Sequence, residues 1–173
     1  NNAQPQELAA GTHAYVYLRI SSRGQDNPEY GNNGLSTQNT AILQLAMEKE
    51  LLIKGTWQDV SSGWNGNVSG TFRQMMRQFP RGRNRVPFVV LVYNASRFSR
   101  SVERAMLLLN EIHNAGGYVY PVVDEMSSNN PLFLNLVRAA ENQSDMLSRA
   151  IQDSVNRRQQ GGQHIGPAPY GQE

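Results

Sequence analysis

Arg19 and Ser21 stand two positions apart in the run Tyr17-Leu18-Arg19-Ile20-Ser21. On a β-strand that spacing sends both side chains off one face. A serine hydroxyl is a weak nucleophile at neutral pH and needs help. A guanidinium beside it could hold a phosphate against it and favour the alkoxide. A second cluster, Ser96-Arg97-Phe98-Ser99-Arg100, follows an apolar run directly. Arg97 and Arg100 are three apart, so at the start of a helix they would share a face. Cations at a helix N-terminus are opposed by the macrodipole. An anion placed there would reverse the sign, meeting both guanidiniums and the free N–H groups. The plain alternative is a solvated charge pair. Arg73, after the loop DVSSGWNGNVSGTF, is the third piece. If their loops converge, one serine and four arginines share a site, and phosphoryl transfer asks mainly for positive charge around the phosphorus. Asp124-Glu125 is the only acidic pair near a strand end. Adjacent acids usually diverge, so a two-metal nuclease is not expected.

The pattern of elements says how these loops could meet. His13 to Ile20 alternates and is β-rich, and reads as a first strand. Ser36 can cap a helix from Thr37 to about Glu50, with Ile42, Leu45 and Ala46 on its apolar side. Leu51 to Val60 reads as a second strand, and Thr71 to Phe79 as a short helix stopped by Pro80. Val86 to Tyr93 is a continuous apolar, β-branched run, as expected of a buried strand. A helix from about Val102 to Ala115 follows, with Gly116 where a C′ glycine belongs. Tyr118 to Val123 is a fourth strand, and Pro131 opens a long helix reaching about Arg158. The alternation predicts an α/β fold: an open, mostly parallel sheet with helices on both faces. The site of such a sheet lies beyond the carboxyl ends of its strands, where the three polar loops would fall.

The expected organisation is a flexible N-terminal arm over 1–12, a core over 13–130, a long interface helix over 131–159 and a linker over 160–173. Beyond Glu141 the apolar stripe narrows to Leu147, Ile151 and Val155, which suggests packing against another subunit. His113 reads as a helix-end residue interacting with the dipole.

Bulk properties narrow the classes. A chain of 173 residues suits one α/β domain. No apolar run approaches the ~20 residues that cross a bilayer, so no membrane partner is expected. Cysteine is absent, which removes disulfides and thiolate metal sites and fits a cytoplasmic setting. The net charge of +2 is modest, but every base except Lys49 and Lys54 is arginine. Arginine grips phosphate oxygens bidentately.

Taken in order from Tyr17 to Gly171, the motifs resemble those of the serine site-specific recombinases. Tyr-Leu-Arg-Ile-Ser-Ser-Arg-Gly-Gln resembles the family's Tyr-x-Arg-x-Ser strand, with Gln25 four residues after Ser21. Leu35-Ser36-Thr37-Gln38 resembles the next motif, whose Gln contributes to the active site. The Ser-Gly loop before Arg73 and the run VLVYNASRFSRS resemble the remaining catalytic motifs. Ser96 departs from the family's Asp at that position. The closing GGQHIGPAPYG is similar to the stretch by which large, phage-type serine integrases leave the catalytic domain for DNA-binding domains.

The resemblance implies a resolvase-like, flavodoxin-like strand order and a long C-terminal dimerisation helix. It implies strand cleavage and rejoining through a covalent 5′-phosphoserine. It also implies double-stranded DNA attachment sites as partners, a homodimer assembling to a tetramer on DNA, and no cofactor. Site residues on this basis are Ser21, Arg19, Arg73, Arg97, Arg100, Gln25 and Gln38.

The alternative from another class is a non-catalytic flavodoxin-like module for a nucleotide or phosphorylated ligand. No GxGxxG or GxxxxGK[ST] loop supports it. No GxSxG elbow supports a serine hydrolase. The APYG segment argues against a small resolvase.

Overall fold

The computed structural model describes residues 6–21, 34–61 and 70–160; for Ser21 it describes the backbone alone. The strands are β1 (His13–Ser21), β2 (Leu52–Ser61), β3 (Phe88–Val92) and β4 (Gly117–Pro121). The helices are α1 (Leu35–Glu48), α2 (Gly70–Arg77), α3 (Ala95–Phe98), α4 (Val102–Asn114) and α5 (Phe133–Gln160). The sheet order is β2-β1-β3-β4 and every pairing is parallel.

Period-two alternation splits the core into two layers. Ala14, Val16 and Leu18 of β1, with Val89 and Leu91 of β3, pack under Ile42 and Ala46 of α1. Tyr15 and Tyr17, with Phe88, Val90 and Val92, face α2, α4 and α5 through Phe72, Met75, Leu108, Ile112, Phe133 and Val137. Helices therefore cover both faces, as the element order predicts. β3 is buried along its whole length, which is why its sequence is continuously apolar.

Several boundaries differ from the sequence reading. Ser36 does not cap α1: the helix starts at Leu35, two residues earlier than expected, with Gly34 at its N-cap and no side-chain cap bond. Leu35 packs against the core under α1, which draws it into the helix. β3 begins at Phe88 rather than Val86 because Pro87 has no N–H for a ladder. α5 begins at Phe133 rather than Pro131, because Asn130 holds a turn through its Oδ1, which accepts from the Leu132 N–H at 2.9 Å. Ala95–Phe98, read as loop, is a short helix of its own.

The arm expected to be flexible packs over the part described. Leu8 is buried in the α1-side core, and its N–H donates to the Tyr118 hydroxyl at 2.8 Å. The Glu7 carboxylate accepts from Ser127 Oγ and, at 3.2 Å, from Asn129 Nδ2. This segment shields the β4 tyrosines, on a face where α1 is the only helix among the described residues. Beyond Glu141 α5 is exposed on nearly every described side chain, with Met146 at 69% and Ile151 at 59%. Val155 is half-buried, and the side chain of Leu147 lies outside what is described.

The two α4–β4 junction glycines have separate reasons. Gly116 takes φ +96°, the left-handed C′ conformation expected of it. A Cβ on Gly117 would lie 2.3 Å from the Phe88 ring, so only glycine fits.

α1 ends in a Schellman motif without glycine. The Glu50 N–H donates to the Met47 carbonyl at 3.2 Å and the Leu51 N–H to the Ala46 carbonyl at 2.9 Å. Glu50 holds φ 56° there, a conformation that costs an L-residue roughly 1–2 kcal/mol. Its charge also opposes the helix C-terminus. Glu50→Gly should therefore raise stability by about 0.5–1 kcal/mol, the added unfolded-state freedom of glycine taking back part of the gain. Thermal denaturation should show a midpoint higher by about 1–4 °C, and a lower midpoint would refute the strain at this position.

His113 does not act chiefly through the helix dipole. Its Nε2 lies 2.8 Å from Ser128 Oγ, which also accepts from the Val119 N–H at 2.8 Å. Burial pushes its pKa below 6.5. The unfolded chain therefore binds the proton more readily than the native one. The stabilising contribution is complete above about 6.5 and is lost as pH falls from there through the lowered native value. Melting curves across this window should show the wild type losing more of its midpoint on acidification than His113→Gln; parallel pH profiles would remove His113 as the cause.

Candidate active site

The sheet order places β1 between β2 and β3, so the chain leaves β1 in one direction and returns on its other side. The crevice at such a switch point is where open α/β sheets bind ligands. β1 stays paired with β2 through Ser21↔Ser61, whereas its pairing with β3 ends at Val16↔Leu91. Arg19 thus sits where one neighbouring strand has stopped. Its backbone is satisfied instead by Gln38, which is fully buried. Gln38 Nε2 donates to the Arg19 carbonyl at 3.0 Å, and Gln38 Oε1 accepts from the Arg19 N–H at 3.4 Å. The side-chain amide stands in for a missing peptide unit of β3.

The Arg19 side chain leads into the crevice. Its Nη2 donates to the Ser96 carbonyl oxygen. Its pKa is lowered to about 10, first by burial and then by Arg100; Arg97 lowers it further, while Tyr17 and Asp59 act in the opposite sense. Arg97 is also lowered, by burial and then by Arg100. Arg19, Arg97 and Arg100 therefore share one electrostatic neighbourhood. Asp59 lies opposite Arg19 in the β1–β2 register, and its Oδ2 accepts from the Tyr17 hydroxyl at 2.8 Å. Two buried nitrogens, Arg19 Nε and Arg97 Nε, have no hydrogen-bond partner among the described residues. An unmet buried donor costs about 1–3 kcal/mol. An anion with several acceptor oxygens would satisfy both.

Arg97 and Arg100 are not on one helix, as the spacing suggested. Arg97 lies in α3, and Arg100 in the link between α3 and α4. Nor are the α3 N–H groups expected to meet an anion free for one. Asn94 Oδ1 accepts from the Arg97 N–H at 3.0 Å, and Asp124 Oδ2 accepts from the Ala95 N–H at 2.8 Å. The guanidiniums, not the helix start, are what this site offers. The Ser96 hydroxyl donates to Asn94 Oδ1 at 2.7 Å, so it serves the same cap.

The rest of the loop is fastened from several sides. Phe98 is buried against Phe72 of α2 and Phe133 of α5, with ring centroids 6.1 and 6.3 Å away. Ser99 Oγ donates to the Ser101 carbonyl at 2.9 Å. Ser101 caps α4 through the Arg104 N–H, and Glu141 of α5 accepts from the Val102 N–H at 3.0 Å.

Of the site residues expected from sequence, Arg19, Arg97, Arg100 and Gln38 come together. Arg73 stands exposed in the first turns of α2 and is not among the charges acting on Arg19. Gln25 lies outside the described residues, and Ser21 closes β1 as backbone two residues beyond Arg19. Asn94, Asp124 and Glu141 were missed. Asn94 precedes a helical turn and carries a readable N-cap signal. Asp124 and Glu141 are remote in sequence, and only the tertiary fold brings them here.

The fold and the arginine cluster define a parallel α/β protein with a cationic site at the carboxyl edge of its sheet. A family model described as the resolvase N-terminal domain matches residues 14–164, and the chain belongs to that family. Among solved structures, it is similar to a resolvase family site-specific recombinase from Streptococcus pneumoniae, at 20% identity and a TM-score of 0.56. That match covers 86% of this chain and 99% of the other. It is also similar to the N-terminal catalytic domain of TP901-1 integrase, at 17% identity and a TM-score of 0.55, over 79% of this chain and 98% of the other. A comparison with curated protein sequences finds no match. No helix among the described residues is long and apolar enough to cross a membrane.

Because Asp124 holds the first turn of α3, Asp124→Ala should cost about 1 kcal/mol, the usual loss of a capping acceptor. Asp124→Asn, which keeps an acceptor oxygen, should recover much of it. Thermal melts of the two variants decide: equal midpoints for Asp124→Ala and wild type would show that the carboxylate does not anchor α3.

Proposed function

We propose that this protein carries out site-specific DNA recombination with Ser21 as the nucleophile. The observation that carries the reading is the pair of buried guanidinium nitrogens on Arg19 and Arg97 that have no partner among the described residues, with Ser21 two residues beyond Arg19 on the same strand. A phosphodiester brings the charge and the acceptors that this site lacks. Ser21 Oγ attacks a backbone phosphorus as its proton leaves. The P–O bond to the 3′ carbon's oxygen breaks, and that oxygen departs as a 3′-hydroxyl, solvent taking the serine proton and returning one to the leaving oxygen. The serine is then esterified to the 5′-phosphate. One P–O bond is exchanged for another, so rejoining needs no ATP.

Arg19, Arg97 and Arg100 neutralise the charge that builds on the phosphoryl oxygens. Arg73 would join them when DNA is seated, and Gln25 would orient a phosphate oxygen or an arginine. Gln38 acts by holding the Arg19 backbone. The protein would work on double-stranded attachment sites as a homodimer assembling to a tetramer. The exposed length of α5 would supply that interface. Residues 160–173 would lead to a DNA-binding domain.

The test is covalent trapping. Wild type and Ser21→Ala are incubated with DNA of the element that carries the protein and quenched in denaturant. Wild type should give an adduct on 5′ ends, and Ser21→Ala should give none while melting as the wild type does. Adduct at the wild-type level from Ser21→Ala would overturn the nucleophile. DNA binding with no adduct from wild type would overturn the catalytic reading. Neither adduct nor DNA binding would favour a small phosphorylated ligand.

A further inference from the structure

Charge is segregated along this chain. Residues 60–102 contain seven arginines and no Asp, Glu or Lys, although the whole chain carries a net charge of only +2. Arg97 and Arg100 belong to the site already described. The other five lie on α2 and the turn that follows it. α2 turns Phe72 and Met75 into the core, which leaves Arg73 and Arg77 on its exposed side. The two are one helical step of four residues apart, about 6 Å along the axis. Past the helix end, Arg81 precedes and Arg83 lies within a 3₁₀ turn, Gly82–Asn84, and both are exposed. Because the strands are parallel, α2 runs from the carboxyl edge of the sheet, beside the site, back to its amino edge.

The fifth arginine is already employed. Arg85 donates from Nε to the Ala115 carbonyl at 3.2 Å and from Nη2 to the Asn114 carbonyl, closing the C-terminus of α4. Arg73, Arg77, Arg81 and Arg83 make no ion pair with any described residue. Arg81 spends one nitrogen on the Met76 carbonyl at 3.3 Å. Glu111 shares a depression of about 310 Å³ with Arg81 and Arg85 at the far end of the row. Exposed like charges at helical spacing repel one another by a few tenths of a kcal/mol per pair. A partner of opposite charge would turn that repulsion into attraction.

We propose that Arg77, Arg81 and Arg83 form a ridge that tracks the phosphate backbone of duplex DNA away from the reacting phosphate. The inference rests on the recombinase reading above and adds a second, non-reacting contact surface to it. Arginine suits the task because its planar fork meets phosphate oxygens bidentately. Such contacts position the duplex and carry no base sequence.

The experiment is a salt series of equilibrium binding to a labelled duplex, followed by fluorescence anisotropy. It compares wild type with the triple variant Arg77→Gln, Arg81→Gln, Arg83→Gln. Each lost phosphate contact should lower the slope of log K against log salt by about 0.9. The triple variant should therefore lose about 2–3 from the slope, and at low salt it should bind at least about tenfold more weakly. The matching triple lysine variant should keep most of the slope, and Lys49→Gln with Lys54→Gln should leave it unchanged. If the triple glutamine variant fails to fold, Arg83→Gln alone, in the exposed turn, should still lose about one contact's slope.

Wild-type binding with an unaltered slope in the glutamine variants would overturn the ridge and leave the recombinase reading standing. That result would also be expected if the ridge met an acidic protein surface instead. Failure of wild type to bind any duplex would remove both.

Discussion

A guanidinium held charged, largely out of water and incompletely bonded organises this fold. Burying a cation without a carboxylate against it is expensive. The simplest remedy, an acid beside Arg19, would stabilise the protein and cancel the positive charge of the site. The structure uses neutral or displaced partners instead. Gln38 holds the Arg19 backbone, the Ser96 carbonyl takes one nitrogen, and Asp59 acts from across the strand register while bonded to Tyr17. Each lowers the cost of burial without occupying every donor. Burial, followed by the charge of Arg100, lowers the Arg19 pKa to about 10. It still lies far above neutrality, so the group stays charged.

That constraint explains why so much structure surrounds a helix of four residues. α3 is too short to persist by itself. It stays in place because its first turn is capped by Asn94 and Asp124, its Phe98 is locked between α2 and α5, and its exit is pinned by Ser99, Ser101 and Glu141. These ties come from β4, α2, α4 and α5 and the loops beside them. Two arginines that repel each other and Arg19 could not be gathered on a loose loop. The end of β1–β3 pairing at Val16↔Leu91 opens the crevice into which the arginines are brought.

The fold was legible because its signals are local and redundant. β3 announces itself by an unbroken apolar run, α4 by its stripe and Gly116, and the alternation of elements by itself implies a parallel sheet. The site was legible in its residue types but not in its geometry. Arg97 and Arg100 read as one helix face because spacing carries no information about where a helix begins, and the α3–α4 break falls between them. The N–H groups read as free because the acceptor that fills one of them, Asp124, lies 29 residues away in sequence. His113 read as a dipole partner because Ser128, which it meets across the β4 turn, could not be placed beside it without the fold. Glu7 and Leu8 read as a loose arm because their partners, Ser127, Asn129 and Tyr118, are more than a hundred residues on. Short-range pattern predicts elements; it does not predict which remote polar atom closes a cap.

The buried and exposed arginines of residues 60–102 also differ in what they can influence. At physiological ionic strength, exposed charges are screened beyond about 8 Å. Arginines on the outer side of α2 can therefore do little to set the potential around Arg19 from a distance. Conversely, a buried cluster at the sheet edge can do little to hold a long polyanion whose other charges lie outside its reach. A protein that must both react at one phosphate and keep the flanking duplex in place needs two populations of cations, one desolvated and one in water. A carboxylate in the same stretch of chain would be free to pair with the nearest guanidinium and cancel part of its charge. The absence of Asp and Glu from residues 60–102 leaves the arginines of that stretch without an acidic neighbour in sequence.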